Sequence, residues 1–474
     1  MTEILHAISN ALASVKDVIW GPLLLPLLVG GGLFLTVRSG CAQFRRFGYA
    51  MKHTAGSLFK KDQHHKDSSG VSPFQAVATA LAGTIGTGSI AGIATAITAG
   101  GPGAVFWMWI SALLGMVTKY CEIVLSLSFR ETNEKGEWVG GPMYYLRHGL
   151  KWKKFGKVLA ALFAIFAMAA CLGTGNAVQS NSIADSLSKT VGINPLVTGI
   201  VLTVIVAVVI LGGVRRIASV NEKLVPFMAL FYVICALVAL VVNIRAVPAA
   251  FALIFKEAFN FKAAVGGAMG YGIMKAITNG FSKGVFSNEA GLGSAPIAHA
   301  ASSAKHPVDQ GLWGMFEVFF TTIIICTISA LIILTTGVYA DPTASAGLDG
   351  AALSIASFNT ILPGVGNVVV TLATIFFALS TILGWAYYGE VSARYLIKNQ
   401  RVATVGYRII YVAMVFVGAV SSLDAIWLVS EIMNGLMAIP NLIGLVCLSG
   451  IVIHITKDYF DGKDAEKKLA KVKK

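Results

Sequence analysis

GTIGTGSIAG (residues 83–92) and ITNGFSKGVFSNEAGLGSAP (residues 277–296) are the two segments that decide the fold of this chain. Each lies in a stretch long enough to span a bilayer, yet each is rich in glycine, which destabilises a helix interior by about 1 kcal/mol relative to alanine. Lipid cannot satisfy the backbone groups that a broken helix frees, so a break survives only where protein, water or a ligand pairs them. Two such breaks, each opening one half of the chain, are typical of secondary transporters that hold a solute and an ion near the bilayer midplane.

The composition indicates an integral membrane protein. The 474 residues are 56% hydrophobic and only 13% charged, whereas a soluble chain is about 25% charged. Six scattered cysteines form no C-x-x-C pair, which argues against structural disulfides and a zinc site. No classical signal peptide precedes the first apolar run. The sequence contains no Ser/His/Asp grouping and no phosphate-binding loop, so we do not predict an enzyme.

The apolar runs predict eleven membrane spans. They lie near residues 17–37, 72–99, 102–129, 157–188, 194–213, 218–244, 264–299, 309–338, 363–393, 404–421 and 424–456. The segments 245–263 and 339–362 are predicted to be external loops with small helices. The last span is ambiguous, because Asn434, Gly435, Pro440 and Asn441 would either kink one long helix or separate two short ones.

The net charge of +14 follows the predicted topology. With the N-terminus outside and the C-terminus in the cytoplasm, most of the 37 lysines and arginines lie in inner segments, including Lys60, Lys61, Arg215 and Arg216. The outer side has only Lys16, Lys189, Arg245, Lys256 and Lys262. This asymmetry is the positive-inside bias of membrane proteins. A contribution from lipid headgroups is compatible with it, whereas nucleic-acid binding is not predicted.

The order of the spans divides the chain into two halves of opposite orientation. An odd number of spans in each half inverts the second copy, which is characteristic of an inverted repeat. Direct residue identity between the halves is small, so this prediction rests on the span count and the position of the breaks. The predicted units are an extra N-terminal helix with a basic cytoplasmic segment (1–71), a first five-helix repeat (72–245), an external connection (246–263), a second five-helix repeat (264–456) and a basic cytoplasmic tail (457–474).

In the first glycine-rich segment, Gly83, Gly86 and Gly88 allow the helix to unwind. The N-terminus of the following half-helix carries roughly +0.5 of a charge and binds anions such as carboxylates. The carbonyl oxygens freed at the other end suit a hard cation. The alternative is helix–helix packing, because small residues four apart let two backbones approach closely.

In the second segment, Thr278, Asn279, Gly280 and Phe281 are predicted to place the break near the middle of the membrane. Lys283 and Glu289 then lie deeper toward the inner side, where they would either satisfy each other or the unwound backbone, or have a functional role. An unpaired charge at the bilayer centre costs roughly 2.5–3.5 kcal/mol, so charges at this depth are paired or functional.

Further polar residues occur inside other spans. The span 157–188 carries polar side chains at helical spacing: Asn176, Gln179, Ser180, Asn181 and Asp185. In the ninth span Ser380 and Thr381 offer adjacent hydroxyls, and Trp385 lies one turn beyond Thr381 on the same face. Two interpretations are purely structural: Lys119 and Glu122 form a surface pair, and Glu317 and Glu390 anchor loops near helix ends.

The strings SNEAGLGSAPIAHA (residues 287–300), GTIGTGSIAG and WVGGPMYYL (residues 138–146) resemble the alanine or glycine:cation symporter family, and the resemblance covers nearly the whole chain. It implies an all-α, leucine-transporter-like fold, with an inverted repeat of five plus five helices and one extra N-terminal helix. It also implies sodium-driven uptake of small neutral amino acids such as alanine and glycine by alternating access. Sodium would be the coupling ion, without any further cofactor, and the location would be the plasma membrane, the inner membrane of a bacterium.

The resemblance also implies roles for individual residues. The substrate carboxylate would be held by Gly86, Thr87 and Gly88, with Gln179 and Asn181 helping to bind the amino group. The opposite wall would be formed by Thr278, Asn279, Gly280 and Phe281. Trp385 and Phe281 would limit the pocket volume and favour small side chains. The sodium ligands would be the carbonyls of Ala82, Ile85 and Phe377 and the hydroxyls of Ser380 and Thr381.

Two other function classes stay open at this point. One is a proton-coupled or exchanging transporter on the same fold, with Glu289, Glu122 or Asp185 as the proton carrier. The other is a channel or an intramembrane enzyme. A channel would conduct without saturable uptake, and an enzyme would need a catalytic constellation that the sequence does not contain.

Overall fold

The computed structural model of the protein describes residues 2–57, 70–259, 269–341, 348, 350–421 and 424–472. Lys60, Lys61 and Lys262, which the charge pattern assigns to loops, lie outside the described residues, as do positions 264–268 of the predicted seventh span. All six cysteines are described and all are free, as predicted.

Helices dominate the described part of the chain. The first ten are α1 Thr2–Val18, α2 Leu25–Arg38, α3 Ala42–Arg45, α4 Phe47–His53, α5 Pro73–Thr84, α6 Ala91–Gly100, α7 Ala104–Ser128, α8 Pro142–Gly149, α9 Lys153–Leu172 and α10 Val178–Val191. The next six are α11 Pro195–Ile210, α12 Gly213–Val242, α13 Val247–Ala258, α14 Met269–Asn288, α15 Ala295–Ala300 and α16 Pro307–Val318. The last five are α17 Thr327–Thr336, α18 Gly350–Ile361, α19 Gly366–Leu396, α20 Gln400–Val420 and α21 Asp424–Val472.

The irregular elements between these helices are short. Short π-helical segments at Ile19–Leu24, Gly173–Ala177 and Phe319–Cys326 join α1 to α2, α9 to α10 and α16 to α17. A two-stranded antiparallel hairpin pairs β1 (Glu131–Thr132) with β2 (Trp138–Val139). The predicted small helices of the two loop segments are present as α13 and α18.

Eight helices in the described residues are long and apolar enough to cross a membrane. They are Ser9–Arg38, Ala104–Ser128, Lys153–Val191, Gly213–Val242, Pro307–Thr336, Gly366–Leu396, Gln400–Val420 and Ile426–Lys463. The other three of the eleven predicted spans are shorter or interrupted. The span near 72–99 is divided into α5 and α6, that near 194–213 is the 16-residue α11, and that near 264–299 is divided into α14 and α15. The count of eleven therefore stays a prediction.

The ambiguous C-terminal span is one continuous helix. Pro440 lies inside α21, which runs without interruption from Asp424 to Val472. Proline removes one helix hydrogen bond, and neighbouring helices in a membrane bundle can compensate such a loss.

The interior and the surface of the bundle differ as expected for a protein in lipid. The α7 helix packs against α14 and α16 in the interior, and Lys119, Tyr120 and Cys121 on it are almost completely buried. The α11 helix instead exposes an apolar face, with Val201 and Val204 more than half exposed. A broad exposed apolar surface of this kind is stable in hydrocarbon but would be an aggregation site in water.

The start of α5 fixes the position of the first break. Ser72 and Gln75 form a reciprocal capping box, in which the Gln75 N–H donates to Ser72 Oγ at 3.1 Å and the Ser72 N–H donates to Gln75 Oε1 at 3.0 Å. The Gln75 amide also donates to Glu222 Oε2 of α12 at 2.9 Å. Since α5 is held at its first turn, its last turn is brought to a defined depth beside α19.

Candidate ion and solute site

The first glycine-rich segment is broken where the sequence predicts. The α5 helix ends at Thr84, Ile85 and Gly86 have non-helical backbone angles, and a 3₁₀ turn covers Thr87–Ser89 before α6 begins. The first hydrogen bond of this turn runs from the Ser89 N–H to the Gly86 carbonyl, at 3.1 Å. The N–H groups of residues 86–88 come before it in the chain and are not used by the turn. The break therefore presents backbone N–H groups at the start of the turn and carbonyls at the end of α5 that accept from side chains instead of from the helix.

Four oxygens of the predicted sodium set converge at this break. Thr381 Oγ1 lies 3.0 Å from the Ala82 carbonyl and 2.9 Å from the Phe377 carbonyl. Ser380 Oγ lies 3.3 Å from the Ala82 carbonyl and 2.9 Å from the Phe377 carbonyl. All four residues are buried. An all-oxygen donor set is the kind that hard cations prefer.

A close approach at Gly86 connects the fifth predicted ligand to this group. A Cβ at Gly86 would lie 2.6 Å from Thr381 Oγ1, so any larger residue would push the hydroxyl away from the break. Ile85, the fifth predicted ligand, directly precedes Gly86 and is buried. The structure therefore brings α19 against the unwound backbone at the residue next to Ile85.

Trp385 joins the two glycine-rich segments. Its indole Nε1 donates to Glu289 Oε1 at 2.9 Å and approaches the Gly83 carbonyl at 3.4 Å. The absence of a side chain at Gly175, in the π-helical turn between α9 and α10, makes room for the indole, because a Cβ there would lie 2.4 Å from Trp385 Cβ. Trp385 is only 2% exposed. Its predicted role in limiting the pocket volume stays a prediction.

The side chains predicted to bind solute on α10 lie on the other side of the first break. Thr87 Oγ1 donates to Gln179 Oε1 at 3.0 Å, and the Gln179 amide donates to the Thr174 carbonyl at 3.0 Å. Asn181 Nδ2 donates to the Ser421 carbonyl at 3.0 Å. Gln179 is therefore in contact with the break, whereas Asn181 is engaged by the end of α20.

A cavity of about 430 Å³ reaches Thr87 and Gly88. Asn181, Phe286 and Trp427 are among its other lining residues, together with the ion pair described below. The ring of Phe286 covers Gly88 so closely that a Cβ at Gly88 would lie 2.8 Å from it. The cavity is large enough for an amino acid, and Gly350 is also among its lining residues.

The second break does not lie where the sequence predicts. The α14 helix is continuous through Thr278, Asn279, Gly280 and Phe281 and ends only at Asn288. Gly280 serves helix packing, because a Cβ there would lie 2.5 Å from the Ala104 carbonyl oxygen of α7. The Asn279 amide donates to the Lys275 carbonyl of its own helix at 2.9 Å. The wall beside Gly88 comes from Phe286 and not from these four residues, so the predicted position of the break is wrong.

The actual second break covers residues 289–294. Glu289, Gly291 and Gly293 adopt positive φ angles of 57°, 91° and 82°, a region that non-glycine residues rarely occupy. Side chains from distant helices pair with its backbone. Lys119 Nζ donates to the Asn288 carbonyl at 2.9 Å, the Gly291 N–H donates to Glu122 Oε1 at 3.0 Å, and Asn441 Nδ2 donates to the Gly291 carbonyl at 2.9 Å.

The interpretation of Lys119 and Glu122 as a surface pair is wrong. Both are fully buried. Lys119 Nζ lies 2.9 Å from Glu317 Oε2, and His299 Nε2 lies 2.7 Å from Glu317 Oε1. Glu317 is fully buried. It pairs with side chains of other helices and does not anchor a loop as predicted. These three side chains come from three helices and pair in the interior, because a lone charge in the membrane is costly.

The remaining predicted charges have different partners from those expected. Lys283 pairs with Glu431 of α21 at 2.9 Å and not with Glu289. Glu289 accepts instead from Trp385 and from Ser294 Oγ at 2.6 Å. Glu390 pairs with Arg408 of α20 at 2.8 Å, so it joins two helices rather than anchoring a loop.

Sequence reasoning missed several residues that the structure brings to the breaks. They are Phe286, His299, Glu431 and Asn441. Phe286 and His299 lie within or next to the string 287–300, but nothing in their spacing identifies their partners. The sequence analysis uses Asn441 only as a helix breaker. A polar amide next to a proline in a membrane span is also a signal of a buried polar contact.

Comparison with known proteins agrees with this architecture. Residues 5–474 match the model of the sodium:alanine symporter family. The chain is 47% identical over 457 residues to the sodium/alanine symporter AgcS of Methanococcus maripaludis, covering 96% of this chain and 98% of that protein. It is 36% identical over 462 residues to the putative sodium/proton-dependent alanine carrier protein YrbD of Bacillus subtilis, covering 95% of this chain and 92% of that protein.

A solved structure supports the fold. The crystal structure of MhsT in complex with L-phenylalanine superposes with a TM-score of 0.53 at 13% identity, covering 82% of this chain and 98% of that chain. The predicted leucine-transporter-like fold is thereby confirmed. On the family match and on the extent of its relatives, this multi-pass membrane protein belongs to the sodium:alanine symporter family, whose members are sodium-coupled transporters and not enzymes.

Proposed function

We propose that this transporter takes up small neutral amino acids, alanine and glycine among them, together with sodium by alternating access. One observation carries the proposal: the oxygen cluster on α19 and the free N–H groups of residues 86–88 lie on the same break between α5 and α6. An ion and a carboxylate bound there would each neutralise part of the other's charge at a depth where lone charges are costly.

Sodium would be held by the carbonyls of Ala82, Ile85 and Phe377 and the hydroxyls of Ser380 and Thr381. The two hydroxyls now donate to carbonyls, and they would rotate to direct their lone pairs at the ion. Binding would fix the end of α5 against α19 and so complete the solute site on the neighbouring residues.

The amino acid would place its carboxylate on the N–H groups of Gly86, Thr87 and Gly88, at the start of α6, where the helix dipole favours an anion. Gln179 and Asn181 would help to bind the amino group. Phe286 and Trp385 would limit the volume available to the side chain. The size of these two rings and their contact with the break support a preference for small substrates.

The proposed organisation follows the units predicted from the sequence. An extra helix precedes an inverted repeat of residues 72–245 and 264–456. The N-terminus would lie outside and the basic tail in the cytoplasm, in the plasma membrane of a bacterium. The two breaks, each near the start of one half, support this arrangement.

The test is uptake of radiolabelled alanine by the purified protein in liposomes, with sodium, potassium and proton gradients imposed separately. We expect accumulation with an inward sodium gradient and none with potassium. Accumulation that needs no sodium but collapses with a protonophore would contradict the proposal in favour of proton coupling. That alternative is favoured by the buried carboxylate of Glu289 between the two breaks.

A further inference from the structure

A second cavity, of about 380 Å³, lies at the opposite end of the bundle from the solute cavity. It is lined by the end of α2, the short helix α3, part of α7 and the C-terminal part of α21. Leu35 and Tyr120 line its interior. Arg38 is the last residue of the first membrane span, so the cavity lies at the boundary between hydrocarbon and water.

The charges around this cavity are strongly unbalanced. Its lining includes four cationic side chains, Arg38, Arg45, Arg46 and Lys457, and a single carboxylate, Asp461. Among the described residues no ion pair joins any of these four cations to a carboxylate. The positive-inside bias explains basic residues on this face in general, but it does not explain why cations from three helices converge on one concave site.

The contacts of the arginines hold them in place without neutralising them. The Arg46 guanidinium carbon lies 4.0 Å from the centre of the Phe460 ring. Arg45 Nη1 donates to the Gly40 carbonyl at 3.4 Å. The Arg38 guanidinium carbon lies 5.6 Å from the centre of the Phe34 ring. Cation–π contacts of this kind position a guanidinium group and leave its N–H groups available to an anion.

The surroundings of the cavity favour a ligand that is itself part of the membrane. Val37 and Phe44 flank Arg38 and Arg45 in the sequence, and they are 75% and 55% exposed. Exposed apolar side chains beside a basic concave site suit the acyl chains of a lipid phosphate. A free anion has no apolar part that could contact them. Guanidinium groups bind phosphate oxygens in paired hydrogen bonds, and basic pockets between membrane helices bind anionic headgroups.

We propose that this cavity binds the phosphate of an anionic phospholipid, which bridges the extra N-terminal helix pair α1–α2 to the last helix α21. In the orientation proposed above, the lipid belongs to the cytoplasmic leaflet. A bound phosphate neutralises cations that otherwise repel one another across the α2–α21 contact. The lipid therefore stabilises the attachment of the extra helix to the inverted-repeat bundle.

The experiment is a thermal melt of the purified full chain in a neutral detergent, titrated with solubilised phosphatidylglycerol. Phosphatidylcholine and inorganic phosphate are titrated in parallel at the same concentrations. We expect phosphatidylglycerol to raise the midpoint by a few degrees, as a ligand that binds only the folded state does. We expect the other two to leave it unchanged. An equal rise with phosphatidylcholine, or an equal rise with inorganic phosphate, would overturn the proposal.

Two triple variants with the same loss of charge locate the site. In R38Q/R45Q/K457Q the apparent affinity for phosphatidylglycerol should fall at least tenfold. In K151Q/K154Q/K157Q, which removes exposed lysines at the start of α9, it should change less than twofold. Equal weakening in both variants would show that binding follows net charge and not this cavity, and it would refute the assignment.

Arg46 is kept in the first variant because its stacking on Phe460 is part of the packing. If R38Q/R45Q/K457Q does not fold, Lys457→Gln alone serves the same purpose, since its side chain is exposed. It should weaken phosphatidylglycerol binding about threefold, and an unchanged affinity would contradict the proposal. The melt involves no transport, so its outcome is independent of the proposed uptake activity.

Discussion

The break after α5 and the break after α14 solve the same backbone problem in opposite ways. Around the first break the polar partners are neutral, with hydroxyls on α19 and the amide of Gln179. Around the second break the partners are charged, and Lys119 and Glu122 bind its backbone directly. At the first break the Ala82 carbonyl accepts from the hydroxyls of Ser380 and Thr381, whereas at the second break the Gly291 N–H donates to the Glu122 carboxylate.

This difference assigns different tasks to two segments that look alike in sequence. A backbone satisfied by buried, mutually paired charges is rigid and has few groups left for a ligand, because each lost contact would leave a charge unpaired in a dry interior. A backbone lined by neutral oxygens can exchange its partners for an ion and a solute at lower cost. This difference supports the proposal that the first break binds the ligands and that the second break is a fixed support.

The largest effect is expected from Lys119→Met. It leaves Glu317 buried beside His299 alone, and removal of one partner of a buried pair destabilises by about 3–5 kcal/mol. The melting midpoint and the yield of folded protein should both fall strongly. Lys189→Met is the control, because its pair with Asp185 is exposed and worth at most about 1 kcal/mol. Similar melts for the two variants would refute the supporting role of the second break.

Thr381→Ala tests the first break. Loss of one hydroxyl ligand should raise the sodium concentration for half-maximal alanine uptake about tenfold, or about 1.4 kcal/mol, without a comparable loss of folded protein. Thr371→Ala is the matched control on α19, because its hydroxyl lies 2.8 Å from that of Thr190 and not beside the break. Unchanged sodium activation of Thr381→Ala in proteoliposomes would remove Thr381 from the ion site.

Trp385→Ala tests the connection between the breaks. The smaller side chain should admit larger amino acids, so that their inhibition of alanine uptake increases at least about tenfold relative to glycine, the lower end of the discrimination that one methylene provides. Trp385→Phe keeps most of the volume and should keep the size ranking, although it lacks the N–H that binds Glu289. Competition assays that give the same ranking for wild type and Trp385→Ala would contradict the volume-limiting role.

The smallest effect is expected from Lys283→Gln. Lys283 lies on the helix that leads into the second break, but its partner Glu431 lies outside it, and both side chains retain 16–17% exposure. We expect a smaller stability loss than for Lys119→Met, because Lys16 Nζ still lies 3.9 Å from Glu431 Oε2, and an unchanged sodium dependence. A loss as large as that of Lys119→Met would mean that the charged support extends beyond residues 289–294.

The sequence predicts the first break well and the second only approximately. Gly83, Gly86 and Gly88 are closely packed against Tyr388, Thr381 and Phe286 respectively, and the backbone is also unwound there, at the end of α5. Gly280, by contrast, lies in an intact helix because close contact with α7 compensates its low helix propensity. Local composition cannot distinguish these two uses of glycine, since the difference lies in a neighbouring helix far away in the chain.

The partners of the buried charges are not predictable from the sequence for the same reason. Lys119 and Glu122 are three residues apart, a spacing that suits a pair on one helix, yet Glu122 binds residues 169 and 319 positions away. Their partners follow from the packing of α7 with α14, α16 and α21, which periodicity does not determine. For Ser380 and Thr381 the family resemblance implies a sodium role, which stays a prediction, and the structure places both hydroxyls beside the Ala82 carbonyl.

The hydrogen bond between the Trp20 indole and the Glu431 carbonyl, at 2.9 Å, has a consequence for biosynthesis. The two residues are separated by 411 positions in the chain, which corresponds to about 20 to 80 s of translation at ordinary rates. The helix that carries Trp20 is therefore synthesised long before the helix that carries its acceptor. Any nascent chain that ends before Glu431 lacks the backbone acceptor for this indole.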